Sequence, residues 1–282
     1  ILKIFKERAH TKEAKLQVEL ASLQYMLPRL VGMRASLSRQ GGASGSLSSK
    51  GAGEKKLELD RRHIEHQISE LKKSLEQISK DRNTQRKKRN VSSIPKVALV
   101  GYTNAGKSTL LNAFVDFYLK DESKKVLEKD MLFATLDTTV RKITPPDNQD
   151  FLLSDTVGFI DKLPHNLVQA FRSTLEEVRY ADLLLEVIDF SDENYKEHML
   201  VTQDTLKELG AGGVPVLYVF NKADRIMDVS LLPRISENKI YISAKNGIGI
   251  RELTEEMNRL LFSSYIDCKM RIPYESGNIS SY

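Results

Sequence analysis

Cysteine is nearly absent. A single residue, Cys268, in a chain of 282 excludes a disulfide framework and a cysteine metal site. It also fits a reducing compartment such as the cytoplasm, the expected location. Long hydrophobic runs are missing, so no stretch approaches the ~20 apolar residues of a membrane span. The five histidines, His10, His63, His66, His165 and His198, lack metal spacing. His63 and His66 stand at i, i+3 on one predicted helix, a pairing far commoner on helix surfaces than around zinc. No Ser/His/Asp constellation can be drawn, and the aromatic residues do not form a base-stacking platform with periodic interleaving. An initiator methionine is lacking as well. The sequence starts at Ile1 and reads as a piece of a longer chain, with any targeting segment outside it.

What is present is a chain long enough for one large domain, or one domain and an appendage, with 40% apolar residues to fill a core. The net charge of +5 conceals an asymmetry. Residues 1–95 hold 21 lysines and arginines against 10 acids, whereas the remainder holds 22 against 28. The first part is therefore a candidate binder of polyanions and the second is not.

One stretch organises the rest: Gly101-Tyr102-Thr103-Asn104-Ala105-Gly106-Lys107-Ser108. An apolar run, Lys96–Val100, precedes it, and Thr109–Phe114 continues as a helix. Strand, glycine turn and helix at G-x-x-x-x-G-K-S spacing make a phosphate-binding P-loop. Gly101 and Gly106 allow the tight turn that brings backbone N–H groups to phosphate oxygens. The helix N-terminus adds its partial positive charge. Lys107 adds a full charge near the outer phosphates, and the Ser108 hydroxyl can ligate magnesium. Thr109 completes the predicted nucleotide-binding run.

From Lys96 onward apolar runs alternate with helical stretches. Strands are expected over 96–100, 140–144, 150–154, 183–189, 214–220 and 239–243, and helices over 107–117, 165–180, 193–209 and 249–261. That alternation predicts an α/β fold, a three-layer sandwich around a mostly parallel sheet. Ligands on such sheets bind at the carboxyl ends of strands, and the remaining motifs fall there. Asp155-Thr156-Val157-Gly158 ends one strand: Asp155 can hold magnesium through a water, and Gly158 can offer its N–H to the outermost phosphate. Asn221-Lys222-Ala223-Asp224 ends another. The Asp224 carboxylate can accept both N–H groups of a guanine edge, which adenine does not supply. Asn221 can order the loop, and the Lys222 stem can lie along the base. A backbone N–H of Ser243-Ala244-Lys245 can reach the guanine carbonyl. A switch threonine is expected within Leu132–Thr139, where Thr135, Thr138 and Thr139 compete.

The basic part carries two apolar series. Leu16, Leu20, Leu23, Leu27 and Leu30 recur at helical spacing, with Pro28 expected to kink or end that helix near Leu27. Leu57, Ile64, Ile68, Leu71, Leu75 and Ile78 define a second helix. Matching stripes predict an antiparallel α-helical hairpin with the Gly41–Gly53 stretch as a glycine- and serine-rich tip. The division expected is 1–95 for this hairpin and linker, 96–265 for the nucleotide domain, and 266–282 for the start of a further domain.

The stretches Met131–Arg141, Asp155–Ile160 with Leu163-Pro164-His165, and Phe171–Glu176 resemble the HflX-type GTPases of the Obg–HflX group. So do Lys15–Leu20, Leu27–Leu30 and Gly53–Arg62. The resemblance covers nearly the whole chain but lacks that family's amino-terminal α/β unit and most of its carboxy-terminal domain. The tip also departs from the family's G-P-G-E, with Ala52 in place of proline. The resemblance implies hydrolysis of GTP to GDP and phosphate, with Lys107, Thr135 and Gly158 as the catalytic residues and Ser108, Thr135 and Asp155 around Mg2+. It implies binding to the ribosome, to the large subunit and its RNA, in ribosome splitting or rescue of stalled ribosomes. The alternative is a nucleotide-gated switch that binds RNA or another protein. Phe159 stands where many GTPases carry a water-positioning glutamine, so hydrolysis is expected to be slow without a partner. Asn104 leaves two readings open, a turn residue and a potassium ligand beside the phosphates. The expected oligomeric state is a monomer.

Overall fold

The computed structural model describes residues 2–9, 11–40, 47–90, 94–119, 139–146, 149–159 and 178–263. Thr135, Thr138, most of the helix expected over 165–180 and the expected domain start at 266–282 lie outside these residues.

Seven strands form one sheet: β1 (Lys96–Val100), β2 (Thr139–Ile143), β3 (Phe151–Asp155), β4 (Leu183–Asp189), β5 (Val216–Asn221), β6 (Arg234–Ser236) and β7 (Lys239–Tyr241). Their order is β2-β3-β1-β4-β5-β7-β6. The pairs β1/β3, β1/β4, β4/β5 and β5/β7 are parallel, and only the edge strands β2 and β6 run antiparallel. Central parallel strands are covered on both faces, which is why β1 and β4 read as continuous apolar runs. β6, three exposed residues, carries no such run and was not expected.

Helices α1 (Leu2–Arg8), α2 (Lys12–Gln40) and α3 (Leu47–Asn90) precede the sheet, and α4 (Lys107–Phe114), α5 (Tyr195–Glu208) and α6 (Ile250–Leu261) follow from its loops. One face of the sheet buries Leu110, Leu111 and Phe114 of α4 with Leu253 and Met257 of α6. The other buries Leu206 of α5, but also Phe5 of α1 and Ala14, Val18 and Ala21 of α2, together with Ala98, Val100, Val157 and Phe159. The base of the helical region thus shares a core with the P-loop strand and the residues after β3.

Two expectations about the helices change. α2 continues through Pro28 to Gln40. Pro28 is exposed, so its ring meets solvent, and the lost bond to the Gln24 carbonyl is one among many in a helix paired with α3. α3 starts at Leu47, so half of the predicted glycine–serine tip is helical and only 41–46 separates the two helices. Gly51 and Gly53 are absorbed into a helix 44 residues long, where each costs about 1 kcal/mol relative to alanine without ending it. Met26, Arg29 and Leu30 of α2 line one groove with Asp60, His63 and Ile64 of α3, as an antiparallel pair requires.

Candidate functional site

The loop after β1 takes its shape from residues with positive φ. Gly101 stands at φ 139, and a β-carbon there would lie 2.2 Å from the Val187 carbonyl oxygen. Gly106, at φ 94, would collide with the Asn221 amide at 2.3 Å. Asn104 adopts the left-handed conformation at φ 62, which asparagine tolerates better than most residues.

Lys107 is 6% exposed and its ammonium donates to the carbonyls of Gly101 at 3.1 Å and Tyr102 at 2.9 Å. Burial lowers its pKa from 10.5 to about 8, with the Asp155 carboxylate opposing the shift. Such a lysine, held by neutral carbonyls, is still mostly charged at neutral pH, and an entering anion raises its pKa again. The Ser108 hydroxyl donates to Asp155 Oδ2 at 2.7 Å, across from α4 to the end of β3. Thr156 fixes that strand end by donating its hydroxyl to the Leu99 carbonyl at 2.6 Å. Two hard oxygen donors converging beside the P-loop suit Mg2+.

The segment after β3 lies directly against the loop. Phe159 N–H donates to the Gly101 carbonyl, and Thr103 N–H donates to the Phe159 carbonyl. A β-carbon on Gly158 would come within 2.8 Å of Thr103 Cα and 3.0 Å of Lys107 Nζ, so glycine alone permits this approach. The Phe159 side chain is 1% exposed and lies in the apolar cluster shared with α1 and α2.

Asn221 joins three loops. Its amide nitrogen donates to the Ala105 carbonyl and its amide oxygen accepts from Ala244 N–H, both at 3.0 Å. Lys222 donates to the Asn104 carbonyl at 2.9 Å and to Asp189 Oδ2 at 2.7 Å. Asp224 follows in a half-buried 3-10 turn, Ser243 is buried and Lys245 is exposed. The sequence-predicted residues Gly101 to Thr109, Asp155, Gly158, Asn221, Lys222, Asp224 and Ser243 to Lys245 therefore all stand at the carboxyl edge of the sheet.

Sequence reasoning missed Asp189, the partner of Lys222, although it ends β4 at the same edge as Asp155 and Asn221 and that position was a usable signal. It also missed Glu186 of β4, 1% exposed, whose pKa burial raises to about 8. Its place inside the apolar run of β4 was the usable signal.

Comparison with known proteins sets this arrangement among the P-loop GTPases. Residues 96–222 match the family described as 50S ribosome-binding GTPase, and residues 8–89 match the family described as GTP-binding GTPase middle region. The structure resembles a GTP-binding protein of Sulfolobus solfataricus in complex with GDP: TM-score 0.54, 27% identity, 93% of this chain and 71% of that one. GTPase HflX of Caldanaerobacter subterraneus is 49% identical over 284 residues, covering 100% of this chain and 63% of the relative. GTPase HflX of Escherichia coli is 41% identical over 287 residues, covering 100% and 65%. The chain belongs to the HflX-type GTPases, and spans somewhat under two thirds of the length of these two relatives.

Proposed function

We propose that the chain binds guanine nucleotides, hydrolyses GTP to GDP and phosphate, and binds the large ribosomal subunit, in splitting or rescue of stalled ribosomes. The observation that carries the nucleotide reading is Asn221, whose one amide joins the P-loop to the loop of Ser243 to Lys245 while Lys222 crosses to Asn104. That clamp orders a base site around Asp224 next to a phosphate site around Lys107. The ribosomal part rests on the matched family, on the HflX relatives and on the basic helical region.

In this reading the P-loop amides and Lys107 hold the phosphates and stabilise charge that grows on them as water attacks the outer phosphorus. Lys107 moves from the Gly101 and Tyr102 carbonyls onto phosphate oxygen. Gly158 approaches closely enough for its N–H to meet the outer phosphate. Ser108 and Asp155 would hold Mg2+, joined by Thr135 on the strength of the family resemblance; the ion supplies charge neutralisation to the phosphates. Phe159 contributes no hydrogen bond from its side chain, and its ring is engaged with α1 and α2. Intrinsic hydrolysis is therefore slow, and the ribosome supplies or orders the missing group. Potassium beside Asn104 belongs to the same proposal and makes hydrolysis faster in potassium than in sodium salts. Residues 1–95 act as the ribosome-facing hairpin and 96–265 as the nucleotide domain.

Competition binding tests the base. GTP and GDP displace a fluorescent GDP and ATP does not, and Asp224→Asn loses guanine affinity while gaining affinity for xanthine nucleotides. ATP competing as well as GTP would refute the assignment. Pelleting with 50S subunits under GTP and under GDP tests the partner.

A further inference from the structure

Tyr102 is a P-loop residue to which the nucleotide reading gives a part through its backbone. Its ring lies flat on the imidazole of His198 in α5, with centroids 3.7 Å apart and planes inclined by 7°. His198 is itself held in place. Its Nδ1 lies 3.5 Å from Asp192 Oδ2, and its backbone N–H donates to the Asn194 carbonyl. Asp192 Oδ1 accepts from Asn194 N–H at 2.9 Å, which sets the turn that starts the helix. The two rings, both half-buried, form one wall of a cavity of about 200 Å³ between the P-loop, β4 and α5.

The backbone of Tyr102 is where this matters. Its carbonyl accepts from Lys107 Nζ at 2.9 Å and from Ala105 N–H at 3.3 Å. It also stands in a parallel bridge with Phe159. One residue thus closes the first turn of the loop, carries the resting position of the phosphate-binding ammonium and is clamped by an aromatic ring from another helix.

We propose that His198 is a positioning residue for the P-loop: by stacking on Tyr102 it holds the loop in its phosphate-ready shape before nucleotide arrives. This inference rests on the nucleotide reading above. The loop needs unusual backbone conformations at Gly101, Asn104 and Gly106, which a loosely held segment leaves for others. Re-ordering it on binding costs conformational entropy, and that cost appears as lost affinity. A flat stack on Tyr102 removes the competing conformations in advance. The effect falls on GTP and GDP alike.

The test measures fluorescent GDP affinity of the full chain as the parent, His198→Ala, His198→Phe and Leu200→Ala, the last an exposed residue of the same helix. His198→Ala weakens binding by about threefold to tenfold, the range expected for one aromatic stack. His198→Phe restores a flat ring and stays within about twofold of the parent, as does Leu200→Ala. The nucleotide-free Ala and Phe variants both unfold cooperatively in urea with the slope of the parent, so the affinity gap is not a folding defect. In a double-mutant cycle, His198→Ala adds no loss once Tyr102→Leu is present. Unchanged affinity in His198→Ala, equal losses in the Ala and Phe variants, or additive losses in the cycle would each overturn the inference. A parent that binds no guanine nucleotide overturns instead the nucleotide reading beneath it.

Discussion

β1 and α3 are opposites. β1 has five residues and buries four of them completely, hydrogen-bonds to strands on both sides, and delivers the chain into the P-loop. α3 has 44 residues and none of its described side chains is fully buried. Ile64, Ile68, Leu71, Leu75 and Ile78 are each half-buried, and its surface is laced with local ion pairs such as Arg61–Glu58 and Lys73–Glu70. Exposed pairs of that kind contribute little to stability. The contrast teaches where rigidity is needed. Phosphate chemistry requires backbone amides and a lysine fixed in advance, so it grows from a central strand covered on both faces. The large partner proposed for the helical region calls for reach and charge, which a marginally buried helix supplies.

The comparison breaks first at Gly101. Gly101→Ala sets a β-carbon 2.2 Å from the Val187 carbonyl at φ 139. The expected result is roughly 3 kcal/mol or more of lost stability in urea unfolding, with GDP binding abolished. The boundary between the regions is sharpened by Phe5→Ala. Phe5 is fully buried against the sheet face although it belongs to the helical region. Removing the ring costs about 3 kcal/mol and loosens α1 and α2 from Phe159, which protease cleavage near the amino terminus would report. A smaller effect comes from Glu186. Burial raises its pKa from 4.5 to about 8, so folding takes up a proton in that window. Its contribution is whole below pH 4.5 and is lost as pH rises through 8. Glu186→Gln removes this dependence, and the stability gap in its favour widens by about 2 kcal/mol between pH 6 and pH 8. Parallel pH profiles of parent and variant would contradict the assignment.

Legibility in the sequence followed the same division. The placing of Lys107, Ser108, Asp155, Asn221 and Asp224 at one edge of the sheet was readable because each ends or follows an apolar strand at a fixed short spacing. The parallel strands were readable because burial on both faces writes itself as apolar runs. The face of α2 formed by Ala14, Val18 and Ala21 was not: small residues give little periodic signal, and the leucine stripe beside them dominated the reading. α1 was missed because its one deep anchor, Phe5, acts through residues far along the chain. Pro28 and the glycines of 51 and 53 misled, since their local penalties are outweighed by continuous helix on either side. The Tyr102–His198 stack joins residues 96 positions apart with no motif between them.

The proposed function divides labour, with nucleotide chemistry in the sheet region and partner binding in the helical one. Reversing charge at Arg34, Arg39, Lys55 and Lys56 together tests it most directly, with GDP affinity and 50S pelleting measured on the same preparation at low and high salt. The expected result is an unchanged GDP affinity, a loss of 50S binding of about tenfold or more at low salt, and a flatter dependence on salt as fewer counterions are released. Pelleting equal to the parent at both salts, or a fall in GDP affinity alongside it, would contradict it.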